Sequence, residues 1–240
     1  MPKIAVKNLV VTYQTRKTTN TVISDLSVAF PSNKISVIVG ESGSGKSTLI
    51  KIIAGVLPLN AGEVYFDDAV VTYLPPRERD ISYVNQDLVL YPKKNVFHNI
   101  AFPLEVASIP VEEIKQRVYE TAEVFGLTPL LTRKIKELSL GQAQKVLLAK
   151  AMVKKPSLYL FDEPFSNLDK PLSHRLCLEL KKTFYKNEDT VIFISHDIHD
   201  ALSLADYLYV MEEGKIIACG EPAALLKSQN PKVREYFKDL

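Results

Sequence analysis

Short apolar runs rich in β-branched residues alternate along this chain with segments of helical period. Residues 35–39 read Ile-Ser-Val-Ile-Val and run straight into a glycine-rich turn. Such a run predicts a buried strand. Residues 4–12 and 22–30 mix β-branched and polar positions and predict two more strands, joined by a polar surface loop over 14–20. Residues 62–66 and 81–84 are again strand-like. After the turn, Leu49, Ile50, Ile53 and Ala54 recur at helical spacing, so a helix is predicted from Lys46.

From residue 95 to about 154 the helical pattern dominates, broken by Pro103, Pro110 and Pro129. Apolar residues at 111, 114, 118, 122 and 125 mark one face of a helix. A buried-type strand returns at 157–161, then a helix over 172–185, a strand over 190–194, a short helix and a strand over 207–211. Gly214 turns the chain into residues 215–218. Strands alternating with helices predict an α/β fold with a mainly parallel sheet. The helical middle reads as an insertion between two halves of that sheet.

Composition changes this picture little. The 240 residues suffice for one large domain or two small ones. Thirty Lys and Arg against 28 Asp and Glu leave +2, which gives no electrostatic reason to expect nucleic acid as a partner. Cys177 and Cys219 lie far apart without metal-ligand spacing and read as reduced thiols. No apolar run approaches the ~20 residues that span a bilayer, and the first ten residues lack a signal-peptide core. The expectation is a cytosolic chain whose membrane role, if it has one, comes through a partner.

Gly40, Glu41, Ser42, Gly43, Ser44, Gly45, Lys46 and Ser47 fit G-x-x-x-x-G-K-[ST], between a strand and a helix as that chemistry requires. Glycines let successive N–H groups face phosphate oxygens, and the helix N-terminus adds a positive dipole end. Lys46 can reach the β- and γ-phosphates, and Ser47 can offer its oxygen to Mg²⁺. Thr48, next on the helix, is grouped with them. Asp162 closes the apolar run 158–161 and Glu163 follows it. Two carboxylates at a strand end suggest Asp162 for Mg²⁺ and Glu163 as the base on attacking water. The plainer readings are a helix cap for Asp162 and a solvated acid for Glu163. His196 ends the strand 191–195 and reads as a γ-phosphate sensor, while His98, His174 and His199 read as surface residues.

Together these residues resemble the ATPase subunit of ATP-binding cassette (ABC) transporters, over nearly the whole chain. Leu138-Ser139-Leu140-Gly141-Gln142 resembles the family signature L-S-G-G-Q. The resemblance implies ATP and Mg²⁺ as cofactors and gives roles to further residues. Gln86 is similar to the family's Mg²⁺-ligating glutamine, and residues 166–169, ending in Asp169, to its D-loop. His196 is similar to the switch histidine. Tyr13 falls where the family stacks an aromatic on adenine, the alternative being an ordinary exposed strand aromatic. Ser139, Gly141 and Gln142 are implied to cap the γ-phosphate of a second ATPase subunit in a head-to-tail dimer. Read alone, Ser139 and Gly141 head a long helical run and form either a second anion site or an ordinary capped helix.

The implied fold is a P-loop NTPase core over 1–88 and 156–240, with an antiparallel β subdomain and a helical subdomain inserted over 89–155. Three positions depart from the family pattern. Leu140 replaces the first signature glycine, where a side chain is expected to restrict the turn and add bulk. Lys145 stands where arginine is common. Asn33 replaces a frequent glycine, which its tolerance of left-handed backbone allows.

Residues 75–80 and 90–104 resemble the carbohydrate-importer, maltose-type branch. That branch carries a C-terminal regulatory domain, which this chain, stopping soon after Phe237, is expected to lack. Phe97, Ile100 and Phe102 either line a groove for a permease helix or pack the helical segment. The implied partners are a second ATPase subunit and transmembrane permease subunits, with the chain peripheral on the inner membrane face and no nucleic acid. The competing readings are a soluble ABC protein of translation or DNA repair, and a cassette that binds ATP with little turnover.

Overall fold

The computed structural model describes residues 1–14, 18–85 and 90–238. Among them, ten strands form two sheets. Strands β1 (Ile4–Gln14), β2 (Thr19–Phe30), β4 (Ala61–Phe66) and β5 (Ala69–Val70) make an antiparallel sheet in the order β2-β1-β4-β5. Strands β3 (Ile35–Val39), β6 (Ile81–Val84), β7 (Leu158–Asp162), β8 (Val191–Ile194), β9 (Tyr207–Glu212) and β10 (Lys215–Gly220) make the second. Its order is β10-β9-β3-β8-β7-β6, parallel except for the terminal pair β9–β10. The expected α/β class, mainly parallel with an added antiparallel sheet, is the observed one.

Every residue of β3, β7 and β8 is buried. That is why these strands read as continuous apolar runs rather than alternating ones. Side chains of period two divide them between two cores. Val37, Val39, Tyr159, Phe161, Val191 and Phe193 face one core; Ile38, Leu158, Leu160, Ile192 and Ile194 face the other.

The second core joins helix α1 (Lys46–Ile53) and the antiparallel sheet. The first joins helices α2 (Val96–Val106), α3 (Val111–Val124), α4 (Leu140–Met152) and α5 (Lys170–Asn187). The chain ends through α6 (Ile198–Leu204), α7 (Pro222–Leu225) and α8 (Pro231–Tyr236). No helix among the described residues is long and apolar enough to cross a membrane.

Three local expectations shift. Pro103 lies inside α2 rather than breaking it. Asn95 caps that helix, and the burial of Ile100, Ala101 and Leu104 holds it through the proline. Ile100 is fully buried, so it packs the core rather than lining an open groove; Phe97 and Phe102 stay half-buried. Helix α4 starts at Leu140, ahead of the run 144–153 that reads as helical in the sequence, because Ser139 caps it. Asn33 does take a left-handed conformation, with φ of 57°.

Arg79 shows what pattern reading misses. Its buried guanidinium donates to the carbonyls of Ile52, Ile53, Thr72 and Leu74 at 2.8–2.9 Å. It thereby satisfies the C-terminal carbonyls of α1, which a polar solvent would otherwise serve. Gly55, at φ 72°, leaves it room: a Cβ there would stand 2.6 Å from Arg79 Nε.

Asp189 leads into β8 with only 4% of its surface exposed. Burial pushes its carboxyl up to about 6, against a weak hydrogen bond from Asn187. A carboxyl that prefers its neutral form when folded costs stability once ionised. That cost is absent below the ordinary value of 3.8 and complete above about 6. Asp189→Asn is therefore expected to stabilise the fold above pH 6 by about 1 kcal/mol, discounted for residual screening. The melting temperature should rise by about 2–4 °C at pH 8, with the gain fading toward pH 4. Thermal melts at the two pH values check this, and equal or lower stability at pH 8 would refute it.

Candidate functional site

Register aligns the C-terminal ends of the parallel strands. Ile38 pairs with Ile194, and Ile194 with Asp162. The loop after β3, the acids after β7 and the histidine after β8 therefore emerge along one sheet edge. On the other side of β7, Val84 pairs with Phe161. The chain beyond β6 thus leaves at the same edge; Gln86 itself lies outside the described residues.

The glycines of the loop have separate reasons. A Cβ on Gly40 would stand 2.1 Å from the Met211 carbonyl oxygen, so no side chain fits there. Gly45, at φ 103°, is the left-handed residue that swings the chain into α1. Lys46 is buried and folds back over its own loop, donating to the Gly40 and Glu41 carbonyls at 2.8 Å each. Burial holds its ammonium below the ordinary value, partly offset by Glu163 and Asp162. The hydroxyl of Ser44 is buried with no hydrogen-bond partner among the described residues. Buried polar atoms are nearly always hydrogen-bonded, so this one suits a polar ligand held in the loop.

Ser47 donates to Asp162 Oδ1 at 2.8 Å, and Tyr83 donates to Oδ2 at 3.4 Å. A hydroxyl beside a carboxylate is the hard-oxygen set that Mg²⁺ takes together with phosphates. These residues fit that ion. Tyr83 was not anticipated; the available signal was a tyrosine in a short strand pairing with β7. The Thr48 hydroxyl meets the Tyr13 hydroxyl at 3.2 Å. Tyr13 thus stands beside the loop, 40% exposed.

Glu163 follows Asp162 with left-handed backbone, φ 48°. His196 Nδ1 lies 3.4 Å from Glu163 Oε2, and both side chains reach solvent. Behind them is a cavity of about 140 Å³ lined by Phe165, Ser166, Phe193 and Asp200 among others. There Asp200, buried, accepts from Ser173. Burial raises its carboxyl, with Ser173 opposing. This bond joins α5 to α6 beneath the histidine. His98, His174 and His199 are exposed.

The signature residues lie at the N-terminus of α4. Ser139 Oγ accepts from the Gln142 amide at 3.3 Å, and Gln142 Oε1 accepts from the Ser139 amide at 3.0 Å. Within this chain they form a reciprocal capping box. Leu140 takes the first helical position, outside the positive-φ residues, so the expected restriction of the turn does not arise. Its side chain is 61% exposed. Gly141 lets α4 approach α5, since a Cβ there would sit 3.1 Å from Leu172. Asp169 caps α5, accepting from the Leu172 amide at 2.9 Å.

A glycine-rich loop between strand and helix, beside a strand-end carboxylate, defines a phosphate-loop nucleotide-binding α/β protein. A family model described as ABC transporter matches residues 23–166. The trehalose/maltose import ATP-binding protein MalK of Thermococcus litoralis is 41% identical over 208 residues, which is 84% of this chain and 56% of that protein. The sn-glycerol-3-phosphate import ATP-binding protein UgpC of Cupriavidus pinatubonensis is 38% identical over 92% of this chain and 59% of its own length. The chain thus spans under two thirds of the length of these curated relatives.

Among solved structures, MJ1267, an ATP-binding cassette of an ABC transporter, superposes with a TM-score of 0.85 at 29% identity, covering 99% of both chains. The dimeric cassette MJ0796, in a post-hydrolysis state bound to ADP and Pi, gives 0.80 at 27% identity over 91% of this chain and 98% of its own. This chain belongs to the ABC transporter family.

Proposed function

We propose that the chain is the ATP-hydrolysing subunit of an ABC importer of sugar or another small solute. It works as a head-to-tail dimer coupled to a membrane permease, and sits on the inner membrane face through that permease. Residues 1–88 and 156–240 form the nucleotide-binding core; 89–155 form an inserted helical subdomain. The observation that carries the reading is the alignment of Lys46, Ser47, Asp162, Glu163 and His196 along one sheet edge. The relatives' names as import ATP-binding proteins support the transport role.

The loop amides and Lys46 grip the triphosphate, with Lys46 leaving the Gly40 and Glu41 carbonyls to do so. Tyr13 stacks on the adenine beside Thr48. Ser47 and Asp162, with Gln86, would hold Mg²⁺, which when bound neutralises charge on the phosphates. Glu163 accepts a proton from the attacking water, and His196 fixes the carboxylate and senses the γ-phosphate. Ser139, Gly141 and Gln142, beside Asp169, cap the nucleotide of the second subunit. For that the Ser139 hydroxyl donates outward while its oxygen keeps the helix cap.

Sedimentation velocity checks the dimer. The chain is expected to double in mass on adding Mg²⁺ and a slowly hydrolysed ATP analogue. Unchanged mass, together with no phosphate release from ATP, would overturn the proposal.

A further inference from the structure

Glu163 holds a backbone conformation that residues with side chains avoid. Such positions are strained and persist only where the surroundings impose them. Three hydrogen bonds impose this one. The Glu163 amide donates to the Ile194 carbonyl at 3.2 Å, and the Glu163 carbonyl accepts from the Ser166 amide at 3.3 Å. The third comes from outside the sheet. The side-chain amide of Gln144 donates to the carbonyl of Pro164. Gln144 belongs to α4, just beyond the Ser139–Gln142 cap. The side chain of Gln144 therefore ties the signature helix to the Pro164–Phe165 peptide, one beyond the strained residue. A second tie, Lys145 to Glu179 at 2.8 Å, also joins α4 to α5 but touches no part of that turn.

We propose that Gln144 is a positioning residue that couples α4 to Glu163 by holding the Glu163–Pro164 turn in its left-handed form. The inference rests on the reading of Glu163 as the base for water. The turn has two arrangements available. Gripped by Gln144, it aims the Glu163 carboxylate toward His196. Released, it relaxes toward the common backbone regions and carries the carboxylate away. A shift of α4, as its N-terminal end closes on an anion, reaches the turn through this amide. The hydrolytic geometry then depends on where the signature helix stands, with no contact between Gln144 and the nucleotide.

The test compares Gln144→Ala and the near-isosteric Gln144→Glu, which lacks the donor. Each is expected to lower kcat for ATP about 10-fold, the effect of one lost hydrogen bond to a reacting group's support. KM should stay within about twofold, because binding is untouched. Glu179→Ala, which breaks only the second tie, should leave kcat within about twofold. In a Glu163→Gln background, the Gln144 variants should still form the ATP-dependent dimer at the same nucleotide concentration.

Unchanged kcat in both Gln144 variants overturns the coupling. So does an equal loss in Glu179→Ala, which marks general loosening, or loss of the dimer, which marks a role in capping nucleotide. Full turnover by Glu163→Gln alone would instead sink the reading of Glu163, so the two failures are distinguishable.

Discussion

Glu163→Gln is expected to slow ATP hydrolysis by about 10²–10³-fold, within the range that a positioned general base contributes. Glutamine keeps the size and the hydrogen-bonding oxygen but cannot take a proton from water. Binding residues are untouched, so the variant should hold ATP and accumulate as a nucleotide-bound dimer. The left-handed backbone at 163 is left as it is, since both side chains branch at the same distance from Cα. Phosphate release under steady state and a nucleotide-retention assay on the isolated dimer read the two halves. Turnover equal to the parent protein would remove Glu163 from the mechanism.

Lys46→Ala is expected to weaken Mg-ATP binding roughly 10- to 100-fold, the loss of a charge-assisted hydrogen bond, and to abolish measurable hydrolysis. The lysine is buried, and its ammonium already bridges the Gly40 and Glu41 carbonyls at 2.8 Å. Removing it leaves the phosphates without the nearest cation and the loop without an internal brace. Its depressed ammonium reflects burial chiefly, so an anion arriving beside it gains from a charge that little water screens. Titration calorimetry with Mg-ATP measures the loss. Unchanged affinity and turnover would refute the assignment of the loop.

The glycine-rich loop was legible because its pattern is local. Glycine spacing, a preceding strand and a following helix all lie between Ile35 and Ile53, and Lys46 and Ser47 need no distant partner to be recognised. Asp162 was legible only beside that loop, since a carboxylate ending an apolar strand reads equally well as a helix cap. Tyr83 was not, because its meaning comes from pairing β6 with β7, more than seventy residues apart in sequence. The strain at Glu163 was invisible for the same reason: it comes from Ile194 and Gln144, not from neighbouring residue types. Leu140 shows the opposite error. It stands in a signature that usually has glycine, yet here it occupies an ordinary first helical turn and points outward. Arg79 looked like part of a branch motif, and its four carbonyl contacts show it to be a brace for α1.

Residue types alone were enough to give the class of fold, the glycine-rich turn between strand and helix, and the acids at the strand end. These follow from residue types within one turn or one strand, where backbone freedom, charge and burial act over a few bonds. The alignment of β3, β7 and β8, the oxygen that meets Asp162 and the reach of α4 to Pro164 emerge from the folded chain. Those depend on strand register and helix packing, and register sums weak contacts across the whole core rather than residing in any one segment.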